Sequence, residues 1–251
     1  MDDLRTRLAS AQHAAQAAAR MVQTAFLEDI GAVRTKGERH NLVTDTDEAV
    51  ERLAAADLLF AHPDDGLIGE EGTSDRPSRT GYTWAIDPID GTWNFANGIP
   101  HWCVVIACAD AQGPALGVIA DPMRGETWTA MRGDGMLLNG EPVPRRPTLD
   151  DPHGVTWALS LGAAFAEPRW QRLRGRLGPV RISGSLALDL AWTAAGRLGA
   201  MAYTCDASPW DVWAGAVMGL EQGLAVHHEP DAELYALMPQ SWWDRLELGR
   251  S

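Results

Sequence analysis

Ammonium groups are nearly missing from this chain: Lys36 is its only lysine, and arginine supplies the rest of its 21 basic residues. The arginines are dispersed, and 34 acidic residues leave a formal charge of -13 at pH 7. Without an extended basic stripe, a nucleic-acid backbone and an anionic membrane are both disfavoured as partners. Cysteine is scarce too. Cys103, Cys108 and Cys205 are odd in number and lack the close spacing of a zinc or redox site. Reduced, buried thiols follow, which suits a cytoplasmic protein. No apolar run approaches the length of a membrane span, and the opening Asp2-Asp3 followed by an Ala/Gln/Arg pattern does not resemble a signal peptide. Internal repeats and low-complexity linkers are absent as well.

What is present is enough chain, 251 residues, to bury a large core. Leu4, Leu8, Ala11, Ala15, Ala18, Met21, Val22 and Ala25 form one apolar stripe, which predicts a helix over residues 2–28. Gly31 to Asn41 read as a polar hairpin or loop. A second helix is expected from Asp45, capped within Asp45-Thr46-Asp47-Glu48, to His62-Pro63. Strands are expected at 67–69, 82–86, 102–109, 115–120 and 126–130, several of them antiparallel. After Pro144 to Pro147 the pattern changes to strand and helix alternation: strands at 155–161, 180–182 and 200–204, helices at 168–177, 185–195 and 209–220. The chain is therefore divided into an N-terminal lobe, 1–146, and a C-terminal α/β lobe, 147–251.

One string carries chemistry. In Tyr82-Thr83-Trp84-Ala85-Ile86-Asp87-Pro88-Ile89-Asp90-Gly91-Thr92 an apolar run delivers two carboxylates, a glycine and a hydroxyl into one turn. Pro88 stiffens that turn, and Ile89 can bury its side chain while leaving its carbonyl to a cation. Gly91 permits close backbone approach at a helix start suited to phosphate. An isolated Asp-x-x-Asp is more often an Asx turn, with Asp90 as an ordinary helix cap. Glu70 and Glu71 also end a strand, where enclosed like charges call for a cation, or else form a solvated loop edge. Asp211 alone reads as a helix-start acid.

Together, these strings resemble the inositol monophosphatase family of metal-dependent phosphatases. The matching segments are Asn41-Leu42-Val43-Thr44-Asp45-Thr46-Asp47, Gly69-Glu70-Glu71, Asp87 to Phe95, Gly133-Asp134-Gly135, Gly184-Ser185-Leu186-Ala187-Leu188 and Trp210-Asp211, in family order. The resemblance implies an α+β fold, the layered αβαβα sandwich shared with fructose-1,6-bisphosphatase, with an N-terminal helix and antiparallel-sheet lobe and a C-terminal α/β lobe. It implies that Glu70, Asp87 and the Ile89 carbonyl bind one Mg²⁺, that Asp87, Asp90 and Asp211 bind a second, and that Glu70 with water serves a third. It further implies that Asp47 bonds Thr92 and, with Glu70, activates the attacking water, while Gly91 and Thr92 N–H groups hold phosphate. Sensitivity to Li⁺ and a homodimer belong to the same pattern.

The substrate side matches less well. Gly184, Ser185 and Leu186 fall near the family's substrate, although helix capping and core packing explain Ser185 and Leu186 equally. Thr204 stands where inositol monophosphatases place a glutamate for inositol hydroxyls, and Asp206 and Ser208 are candidate replacements. Lys36 reads either as a loop lysine near the metals or as a solvated one. The segment Ala225 to Asp231 lacks the usual Gly-rich hairpin, so shortened or rearranged last strands are expected, and His227-His228 reads as a polar edge rather than a metal site. Phosphate-monoester hydrolysis is the expected activity, with inositol monophosphate first among substrates. Histidinol phosphate and a 3',5'-bisphosphonucleotide remain open, as does a non-enzymatic regulatory protein keeping the fold.

Overall fold

The computed structural model describes residues 2–28, 30, 33–35, 42–145, 151–160, 173, 175–204, 208–229 and 234–248. Lys36, Asn41, Cys205, Asp206 and most of the helix expected at 168–177 lie outside the described residues. In chain order the elements are α1 (Asp2–Glu28), β1 (Val33–Thr35), β2 (Leu42–Thr44), α2 (Asp45–Ala61), β3 (Gly66–Gly69), β4 (Thr83–Asp90), α3 (Thr92–Ala96), β5 (Cys103–Asp110), β6 (Gly113–Asp121), β7 (Glu126–Met131), β8 (Gly135–Leu138) and β9 (Glu141–Pro142). They continue with β10 (Trp157–Leu159), β11 (Val180–Arg181), α4 (Leu186–Ala194), β12 (Ala200–Thr204), α5 (Pro209–Glu221), β13 (Ala225–Glu229), β14 (Leu234–Met238) and α6 (Gln240–Arg245).

β3 to β9 form a seven-stranded sheet in sequence order, antiparallel except for the parallel pair β3–β4. β5 shows why helices cover both of its faces. Val104, Ile106 and Cys108 are buried against α1 and α2, while Cys103, Val105 and Ala107 are buried against α4 and α5. A strand alternates its side chains, so apolar residues at every position require a helix layer on each side. At Gly117 of β6 a Cβ would fall 2.4 Å from the Ala214 Cα, which shows how closely α5 lies on the sheet.

The opposite faces of α4 and α5 cover a five-stranded sheet of order β11-β10-β12-β14-β13. Beyond it, α6 contributes Trp242 and Trp243 to a last core with Trp157 and Leu159. The layers are therefore α, β, α, β, α, as expected. Several local details differ. Thr44, not Asp45, caps α2, and Asp47 closes the capping box. Met21 is exposed, and Ala14 takes its place among the buried residues of α1. The last two described strands, β13 and β14, pair antiparallel over five residues each. His227 stacks on Trp243 with ring centroids 3.8 Å apart, so indole contact replaces the purely polar edge. Cys103 and Cys108 are buried free thiols. Among the described residues no helix is long and apolar enough to cross a membrane.

Candidate active site

The pairing of β4 with β5 slips between Asp87, opposite Val105, and Asp90, opposite Cys103. Three steps along β4 thus match two along β5, as in a bulge. Residues three apart in a regular strand face opposite sides, and one extra residue returns them to the same side. Pro88, which has no N–H to donate, sits in the slip. Asp87 and Asp90 are both buried, and Ile89 points into the core beside α1 and α2. The Ile89 N–H donates to Asp87 Oδ1 at 2.9 Å, so the Asx turn exists, but its carboxylate faces a charged cluster.

Parallel pairing brings Glu70 into that cluster. Gly69 lies opposite Ile86, and the Glu70 N–H donates to the Ile86 carbonyl at 3.1 Å, which sets residue 70 beside Asp87. Asp211 arrives at the start of α5, where its Oδ2 accepts from the Ser208 N–H at 3.0 Å. Burial first, then the charges of Glu70, Asp90 and Asp211, push the Asp87 carboxyl well above the usual range. All three share its neighbourhood.

Asp90 reaches across to α4. Its Oδ1 accepts from the Leu186 N–H and its Oδ2 from the Ala187 N–H, each at 3.1 Å, and the Ser185 hydroxyl also donates to it. The Cys103 thiol lies 3.6 Å from the same carboxylate. Burial raises the Asp90 carboxyl, and the bonds from Ser185, Ala187 and Leu186 oppose that rise. Gly91 has φ 94°, and a Cβ there would lie 3.1 Å from the His101 carbonyl and 3.3 Å from that of Gly184, so the position needs glycine.

Asp47 differs from the expected arrangement. Its Oδ2 accepts the Thr44 N–H at 2.8 Å and the Thr44 hydroxyl, because the residue is the third of the helix and completes the cap. Thr92 instead donates to the Ile89 carbonyl at 3.0 Å, so local bonds stand where the implied Asp47–Thr92 bond was expected. That leaves Asp47 Oδ1 buried with no hydrogen-bond partner among the described residues. Burial is the main cause that lifts the Asp47 carboxyl to about 6, and the charge of Glu70 adds to it.

Of the residues the resemblance places near the substrate, Gly184 (φ 84°) packs against Asn94, while the Leu186 side chain lies in the core with Leu190 and Val212. Its N–H, rather than its side chain, meets the site. Thr204 is tied to Ser160: the two hydroxyls are 3.1 Å apart and the Thr204 N–H donates to Ser160 Oγ at 2.9 Å. Three contributors escaped the sequence reading. Asn94 Nδ2 donates to the carbonyls of His101 (2.7 Å) and Ser183 (3.0 Å), stapling the Asp87–Phe95 string to the Gly184 loop. Asp189 accepts from the hydroxyls of Ser183 and Tyr203, both at 2.7 Å, beneath that loop. Glu51 is buried against the turn that carries Glu70. Asn94 lay within the quoted string, whereas nothing local marked the other two.

Oxygen donors dominate this cluster, and such a set suits a hard divalent cation. Among the described residues, however, no three His, Cys, Asp or Glu side chains converge into a ready-made metal cage. Asp47 is instead engaged by its cap, Asp87 by its turn, Asp90 by the start of α4 and Asp211 by the start of its own helix.

Residues 3–240 match the sequence model of the Inositol monophosphatase family. The chain is 36% identical over 226 residues to Inositol monophosphatase 1 of Solanum lycopersicum, covering 86% of this chain and 82% of that protein. It is 35% identical over 220 residues to the Nus factor SuhB of Xylella fastidiosa, covering 82% and 77% respectively. The crystal structure of extragenic suppressor protein suhB from Bartonella henselae superposes with a TM-score of 0.84 at 27% identity, covering 95% of this chain and 96% of that one.

Proposed function

Because this chain belongs to the inositol monophosphatase family, we propose that it is a Mg²⁺-dependent hydrolase of small phosphate monoesters, with inositol monophosphate as the first substrate to test. One observation carries the reading: Asp87 is buried among Glu70, Asp90 and Asp211, and every leading influence on its carboxyl pushes it toward the neutral form. Enclosed carboxylates of this kind are costly without a compensating cation. The orphaned Asp47 Oδ1 fits the same demand.

Glu70, Asp87 and the Ile89 carbonyl would hold one ion, and Asp87, Asp90 and Asp211 a second, with Glu70 and water for a third. Bound Mg²⁺ supplies a water of lowered pKa and offsets charge on phosphate and on the departing oxygen. In this reading Glu70 orients the attacking water, and Asp47, raised to about 6, accepts its proton at the open Oδ1. Gly91 and Thr92 present backbone N–H groups to phosphate. Gly184, Ser185, Leu186 and Thr204 would lie on the side of the leaving alcohol, with the Leu186 N–H and the Ser185 hydroxyl spent on holding Asp90. A cytoplasmic homodimer completes the proposal.

The test is phosphate release from a monoester panel, with and without Mg²⁺, by the wild type and by Asp90→Asn. Outer-sphere substitutions at metal sites cost roughly 10- to 100-fold, so removing a direct ligand that also docks α4 should exceed about 100-fold. Turnover by Asp90→Asn at the wild-type rate would sink the site. The Nus factor relative favours a second reading, a regulatory protein that keeps the fold. Absence of Mg²⁺ binding and of phosphate release, together with tight partner recovery, would select it.

A further inference from the structure

Glu51 stands four residues after Asp47 on α2, one turn along the same face, and is fully buried at 0% exposure. Its Oε2 accepts from the Glu71 N–H at 2.7 Å. Its Oε1 accepts from the Thr73 N–H and the Thr73 hydroxyl, both at 2.7 Å. A Cβ on Gly69 would fall 2.3 Å from Oε2, so only glycine lets the chain close on this carboxylate. The Gly69 N–H goes to Asp75 Oδ1 at 2.9 Å and the Glu70 N–H to Ile86 at 3.1 Å. The turn from Gly69 to Thr73 is thus wrapped around Glu51, as a backbone nest wraps an anion.

Short bonds from N–H and O–H groups to a carboxylate are among the stronger ones, and these three converge on a fully buried acceptor. They act on the residues just after Glu70, while the bonds of Gly69 and Glu70 act from the strand side. Little freedom is left to the Glu70 main chain. Its side chain is aimed at Asp87, with which it shares a hydrogen bond.

We propose that Glu51 is a positioning residue for the Glu70 arm: its carboxylate holds the Gly69–Thr73 turn in the shape that points Glu70 at Asp87, and so sets the affinity of the site for divalent cations without touching them. The inference rests on the phosphatase reading above. α2 then serves the site twice, with Asp47 at the reacting side and Glu51 under the ligand-bearing turn. In Glu51→Gln an amide NH₂ faces backbone donors, and the turn loses at least one bond while the volume is kept.

The test compares wild type, Glu51→Gln, Thr73→Ala and Thr73→Ser. Two quantities are read: the Mg²⁺ concentration for half-maximal phosphate release, and Mn²⁺ binding followed by loss of the free-ion EPR signal, which needs no turnover. Glu51→Gln should weaken both by about 10- to 100-fold, the range for groups that orient metal ligands, while kcat at saturating Mg²⁺ changes little. Thr73→Ala should move the same way by less, and Thr73→Ser should restore wild-type affinity. A folded Glu51→Gln that binds Mn²⁺ as tightly as wild type overturns the proposal, as does a loss confined to kcat. Should Glu51→Gln not fold, the Thr73 pair decides, and wild-type affinity in Thr73→Ala overturns it. A wild type that binds no Mn²⁺ overturns the phosphatase reading itself, before any substitution is compared.

Discussion

Asp189 is 1% exposed between the Ser183 and Tyr203 hydroxyls, and burial lifts its carboxyl from 3.8 to about 6. Between those values the folded chain holds a proton that the unfolded chain has released. Stability from this group is therefore fully present below pH 4 and is lost as pH rises toward 6, by up to about 3 kcal/mol. Asp189→Asn should remove that slope, and denaturant titrations at pH 4, 5 and 6 would read it; an unchanged slope would refute the assignment. The contrast with Asp87 and Asp90 explains what can be read locally. Those two acids stand in a string whose proline, glycine and threonine mark a built turn. Glu51 and Asp189 stand in helices where an acid usually faces water, and only the packing of a distant turn or strand buries them.

Helix ends and strand slips decide how these side chains are delivered. Ser185 caps α4 through the Leu188 N–H at 3.4 Å and also donates to Asp90. Ser185→Ala should cost about 0.5–2 kcal/mol for the cap, read as a lower urea midpoint at unchanged slope, with weaker metal-supported activity because Asp90 loses a partner. A midpoint equal to wild type would show that the cap contributes nothing. Helices α4 and α5 were readable from Ser185, Pro209 and the apolar runs behind them. The cap of α2 was not, since Thr44 and Asp45 are both good caps and the choice falls to the one whose backbone stays extended. Likewise, Asp87 and Asp90 suggest a turn, but the register slip against Cys103 and Val105 that puts them on one side is a property of two strands.

Across the whole molecule, the proposed ligand arms come from separate layers: Glu70, Asp87 and Asp90 from the seven-stranded sheet and its edge, and Asp211 from the helix layer between the sheets. A cation held by all of them joins those layers, so binding should stabilise the fold. At Mg²⁺ a hundredfold above its Kd the gain is about 2.7 kcal/mol, visible as a rise in Tm by calorimetry that chelation reverses; a Tm indifferent to Mg²⁺ would count against the proposed site. The chain's residue order is enough to mark most of the described helices and strands, because periodicity and turn chemistry are local, and the family resemblance adds the αβαβα layering. Tertiary structure alone decided that Thr92 bonds Ile89 while Asp47 Oδ1 is left open, and that Thr204 is held by Ser160. It also placed a buried Glu51 beneath Glu70. Those outcomes turn on which groups remain within hydrogen-bond reach once separate layers have packed, and no spacing along one segment encodes that distance.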